Sequence, residues 1–196
     1  MNAQNSFEFA TQFQSKICRR VFLAIAMMLL AVSPASIASA AEPLKAGIIG
    51  LDTSHVVAFS KVLNDPNAEG VLADVTVVAA YPGGSPDIPS SADRLEGFTQ
   101  QLQDMGIEIV GSIEDLLTKV DVVLLESVDG RPHLEQVKPV LAAGKPVFID
   151  KPVAGNLADA IEIYRLAKEY DVPCFSSSSL RFSPGILGMR DHEDVG

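Results

Sequence analysis

Short apolar runs alternate with segments of helical period from residue 44 to about residue 179, and this alternation restricts the chain more than any other feature. Residues 44–50 read as a buried strand ending in Gly50. Residues 53–64 carry Val56, Val57, Phe59 and Val62 at helical spacing, and Asp65-Pro66 closes that helix. A second strand at 74–80 is broken by Tyr81-Pro82-Gly83-Gly84, and a polar amphipathic helix at 91–105 stops at Gly106. A short strand at 107–110 precedes a short helix opened by Ser112, with Asp115 at capping-box spacing. Residues 121–125, Asp-Val-Val-Leu-Leu, are apolar on both faces, as a central parallel strand requires. Helix 133–143, strand 146–149, helix 157–170 and strand 172–175 complete the series. The expected fold is α/β, a doubly wound parallel sheet in a single domain.

The N-terminus has a different character. Val21 to Val32 form an unbroken apolar run behind Arg19-Arg20, with Ala38-Ser39-Ala40 following. Twelve helical residues rise about 18 Å, short of the roughly 30 Å hydrocarbon core, so the run reads as a signal-peptide core. The pair Arg19-Arg20 before Val21-Phe22-Leu23 resembles a twin-arginine export signal, although an ordinary secretory signal could carry it too. The expectation is a signal at 1–40, an exported and periplasmic mature chain starting near Ala41, a domain at 41–186 and a polar tail at 187–196. No membrane span is expected after cleavage.

Charge excludes other classes. The whole chain carries a formal −10, and losing Lys16, Arg19, Arg20 and Glu8 with the signal takes it to −12. So acidic a domain repels nucleic acid and anionic membranes. Cys18 leaves with the signal and Cys174 then stands alone, so no intrachain disulfide is expected. Metal-ligand spacings and a Gly-x-Ser-x-Gly elbow are both lacking, and no metal site is expected.

In a doubly wound sheet the first strand–helix turn usually cradles a dinucleotide pyrophosphate, with the fingerprint G-x-G-x-x-G. Here the turn reads Gly50-Leu51-Asp52-Thr53-Ser54-His55, and only the first glycine is kept. Asp52 stands where the backbone should approach phosphate. As a helix N-cap it would compete with phosphate for the same amides, and Thr53 and Ser54 could compensate with hydroxyl hydrogen bonds. His55, in place of the last glycine, reads either as a structural histidine or as a phosphate or substrate contact. Tyr81 replaces the acid that would hold the adenosine ribose. The loop through Ser85 is either a plain turn or an acceptor for a 2′-phosphate, a slight lean toward NADP over NAD.

Residues 120–156 carry the most specific signal. Leu141-Ala142-Ala143-Gly144-Lys145-Pro146-Val147-Phe148-Ile149-Asp150-Lys151-Pro152 resembles the A-x-x-A-G-K-x-V-x-x-E-K-P element of the Gfo/Idh/MocA oxidoreductases, the family of glucose–fructose oxidoreductase and inositol dehydrogenase. Asp150 stands in place of its Glu. Arg181-Phe182-Ser183-Pro184 resembles the family's R-[FY]-x-P. The resemblance spans about residues 44–186 and implies a Rossmann-like domain that binds NAD or NADP and works on a sugar or polyol. It implies that Lys151 is catalytic, beside the nicotinamide, where it positions the substrate hydroxyl or relays its proton. Pro152 disfavours helix at Lys151 and so sets it at the carboxyl edge of strand five. Gly50, Asp52, Thr53, Ser54, His55, Tyr81, Ser127, Asp150, Lys151 and Pro152 are the cofactor-binding candidates, with Asp150 orienting Lys151. His133 either lines the crevice or packs there. Glu126 either pairs with Arg131 or faces the nicotinamide side. Twin-arginine export would suit such an enzyme, because it moves proteins already folded around their cofactor.

The resemblance also implies a second α/β domain after the Arg181-Phe182-Ser183-Pro184 segment, bearing much of the substrate pocket and the surface for oligomers. The chain ends at Gly196. The expected partners are a dinucleotide and a small-molecule substrate. The first reading is the cofactor-binding domain of a nicotinamide-dependent oxidoreductase. Two alternatives are a non-catalytic binding module with a repurposed phosphate turn and an inactive remnant. The tail Asp191-His192-Glu193-Asp194 reads as a solvated end and not as a site.

Overall fold

The computed structural model describes residues 42–186. The signal expected at 1–40 and the tail expected at 187–196 therefore lie outside the described residues. Among the described residues, six strands form one sheet: β1 (Leu44–Ile49), β2 (Val75–Tyr81), β3 (Glu108–Ile109), β4 (Val122–Leu125), β5 (Val147–Asp150) and β6 (Cys174–Ser177). Their spatial order is β3-β2-β1-β4-β5-β6, and each neighbouring pair is parallel. The strand order reverses between β1 and β4, which opens a crevice at the carboxyl ends of those strands.

Among the described residues the helices are α1 (Ser54–Leu63), α2 (Pro89–Asp104), α3 (Ile113–Leu117), α4 (His133–Ala142) and α5 (Leu157–Glu169). Adjacent residues of β1 serve opposite faces, as strand geometry demands. Ile48 packs with Val56 of α1 and Leu102 of α2, whereas Ile49 packs with Leu125, Val137, Leu141 and Ile163 on the side of α4 and α5. This two-sided burial is the doubly wound fold. At about 25 cal/mol per Å² of apolar surface, burial on both faces is the main source of stability.

Local chemistry sets the boundaries. Ser112 caps α3 by accepting the Asp115 amide at 3.1 Å, and Asn156 caps α5 by accepting the Asp159 amide at 2.9 Å. Pro89 opens α2, two residues earlier than the apolar period suggests. Strand β6 begins at Cys174, because Pro173 has no amide to give and instead offers its carbonyl to Val147. Val62 lies on the exposed side of α1, and the helix buries Ser60 in its stead. Two short 3₁₀ turns, Gly70–Leu72 and Ser179–Phe182, have no counterpart in the sequence reading. Among the described residues, no helix is long and apolar enough to cross a membrane.

Candidate functional site

The first turn is built around Gly50. Its φ is +90°, and a Cβ there would stand 2.6 Å from Ser127 Cα. Glycine is thus required twice, for its backbone angle and because the loop after β4 presses on it. The turn is also stitched to the segment after β2: the Gly50 amide donates to the Tyr81 carbonyl at 3.0 Å and the Leu51 amide to Pro82 at 2.7 Å.

Asp52 does not cap α1. Thr53 takes that role, accepting the His55 amide at 3.4 Å. Asp52 is wholly buried and turned the other way, accepting the Ser91 hydroxyl at 2.6 Å and the Val128 amide at 3.0 Å. Both of its oxygens are thereby committed, and the competition with phosphate expected of a capping carboxylate does not arise. Ser54 is the exposed first residue of α1.

Ser127 is buried opposite Gly50, its hydroxyl donating to Gln136 Oε1 at 3.0 Å. His133 packs without exposure. Its Nε2 lies 2.8 Å from the Ser127 carbonyl and its Nδ1 lies 3.2 Å from the Val153 carbonyl, so it joins the loops that follow β4 and β5. Of its two readings, the packed one describes its geometry. Ser85 is buried as well, its hydroxyl bonded to Asp129 Oδ2 at 2.7 Å. Asp129 in turn pairs with Arg131, which also reaches Asp87. The Arg131 guanidinium holds the Asp129 carboxyl down at about 2. Arg131 therefore does not pair with Glu126.

Glu126 follows β4 inside the protein, with no exposure and no hydrogen-bond partner on either carboxylate oxygen. Burial pushes its pKa up to about 8; the nearby Asp150 charge adds to this and Lys151 opposes it. Asp150 closes β5. Its Oδ2 lies 2.7 Å from His55 Nδ1 and 3.9 Å from Lys151 Nζ, so its nearer partner is His55 and not the lysine it was expected to orient. Lys151, half exposed, is joined to the exposed Pro152 by a cis peptide bond. The convergence of His55, Glu126 and Asp150 was not read from the sequence. The available signal was an acid closing an otherwise apolar strand. Beside this group lies a cleft of about 480 Å³ whose wall includes His55, Phe59, Phe148, Asp150, Phe175 and Phe182.

A parallel sheet that reverses between β1 and β4, with a left-handed glycine turn delivering a helix N-terminus to that reversal, defines a dinucleotide-binding α/β domain. Residues 44–178 match the oxidoreductase family with an NAD-binding Rossmann fold, and the chain belongs to this Gfo/Idh/MocA family. It is 26% identical to a dehydrogenase (aclE) of Aspergillus oryzae over 76% of this chain and 39% of that protein. It is 33% identical to an inositol 2-dehydrogenase of Cereibacter sphaeroides over 57% of this chain and 29% of that one. In fold it resembles scyllo-inositol dehydrogenase from Lactobacillus casei, solved with NAD(H) and scyllo-inositol. The TM-score is 0.56 at 19% identity, over 76% of this chain and 40% of that one. The chain thus spans less than half the length of these relatives.

Proposed function

We propose that this chain is the cofactor-binding domain of a nicotinamide-dependent oxidoreductase acting on a sugar or polyol. The observation that carries the reading is the placement of Lys151 beside Asp150 at the carboxyl end of β5, across the switch-point crevice from the Gly50–Thr53 turn. The turn fits a pyrophosphate. The first amides of α1 have no intrahelical acceptor, the Thr53 and Ser54 hydroxyls stand at the helix start, and Asp52 is directed inward. The bound nicotinamide would supply the hydride acceptor. Lys151 holds the substrate hydroxyl by a hydrogen bond and passes on its proton, with Asp150 behind it. The polyol class comes from relatives that act on inositol, and the proposal includes export of the domain by the signal at 1–40.

Fluorescence titration of the purified chain with NADH and NADPH tests the reading. Micromolar binding of either supports it, and the tighter of the two identifies the cofactor. Absence of binding by both overturns it.

A further inference from the structure

Three donor side chains from three different elements converge at the carboxyl edge of the sheet. His55 comes from α1, Glu126 follows β4 and Asp150 ends β5, and one ligand atom of each lies within 4.8 Å of the other two. Glu126 is aimed into this group with both oxygens buried and unpartnered. Leaving a buried acceptor unsatisfied is destabilising, and more so when it is charged. Asp150, only 4% exposed, adds a second carboxylate. Lys151 offers little relief: its ammonium is 3.9 Å from Asp150 and half of its side chain is in solvent.

We infer that His55, Glu126 and Asp150 form a binding site for a first-row divalent metal ion of the zinc or manganese class. One imidazole nitrogen with two carboxylate oxygens is a donor set such ions accept, and the two carboxylates balance the ion's charge. Calcium and magnesium favour all-oxygen shells, and the imidazole discriminates against them. Around a tetrahedral ion the donors stand about 3.4 Å apart. Side-chain rotation closes the wider gaps, and the 2.7 Å His55–Asp150 bond opens to admit the ion. His55 and Asp150 also line the 480 Å³ cleft, so a fourth coordination position faces open space on that side. The site does not rest on the dinucleotide reading, and the two are measured separately.

The full chain, stripped with EDTA and freed of chelator, is titrated with ZnCl₂ by calorimetry and with CoCl₂ by visible absorption. One tight equivalent is expected, with the d–d bands of a low-coordinate cobalt centre. Glu126→Gln and His55→Asn each weaken binding by roughly tenfold or more, at least the loss that an outer-shell partner causes. Circular dichroism of both variants matches that of the parent. Glu162→Gln on α5 and His192→Ala in the tail leave binding unchanged. No stoichiometric ion, or binding that survives both cluster substitutions, overturns the site and leaves a hydrogen-bonded His55–Asp150 pair beside a protonated Glu126. If Glu126→Gln fails to fold, His55→Asn, at a partly exposed position, decides by the same readouts.

Discussion

The Ser91 hydroxyl donates a 2.6 Å hydrogen bond to Asp52 Oδ2, and both residues are wholly buried. Ser91 also accepts the Ser85 amide at 2.8 Å, so one hydroxyl fastens the loop after β2 to the turn after β1. The remaining Asp52 oxygen holds the Val128 amide. Asp52→Ala leaves Ser91 and Val128 without that acceptor. Urea denaturation should show a loss of about 2–4 kcal/mol, several times that of an ordinary surface substitution. Asp52→Gly restores the fingerprint glycine but should be equally unstable, with no gain in nicotinamide affinity.

Gly50 allows a sharper test. Gly50→Ala combines a left-handed backbone angle with a Cβ driven into Ser127, whose backbone cannot move aside cheaply. A loss of about 2–4 kcal/mol is expected in the same assay, against about 1 kcal/mol for Gly144→Ala, where the backbone angle alone is strained. Gly144 also has a positive φ, of 68°, but open space where a Cβ would go.

The Asp129–Arg131 pair carries a pH signature. The folded state holds the Asp129 pKa at about 2, below its ordinary 3.8. A depressed carboxylate contributes stability above its unfolded value, and that stability is lost as pH falls from about 4 toward 2. Arg131 is more than half exposed, so solvent screening keeps the contribution small. Thermal melts of the parent and Asp129→Asn should differ at pH 6 and converge near pH 2.

The role proposed for Lys151 can be tested by separating catalysis from binding. Where the proposed oxidoreductase activity is measured, Lys151→Met should lower kcat by about 100-fold or more while changing nicotinamide affinity far less. A variant that loses nicotinamide binding and kcat in parallel would place Lys151 with the cofactor contacts alone.

Much of the sheet was legible because the sequence from Asp121 to Leu125 is apolar on both faces, which only a central strand tolerates. The Asp150-Lys151-Pro152 segment was legible as a motif. The direction of Asp52 was not, because it is decided by Ser91 and Val128, the latter 76 residues away. The bond between His55 and Asp150 joins positions 95 residues apart, and no local period reports such a meeting. His133 was undecided for a related reason: its two carbonyl partners belong to different loops. Local pattern identifies elements, whereas loop-to-loop bonds become visible only once the strands are ordered.

Those bonds have a thermodynamic consequence. Asp52, Ser91, Ser127, His133 and Asp129 hold the loops after β1, β2, β4 and β5 to one another through the protein's own atoms. The rim of the crevice is therefore already ordered before any ligand arrives. Capture at this edge forfeits little chain entropy, so association is expected to be fast and nearly rigid-body, with selectivity resting on fit and charge.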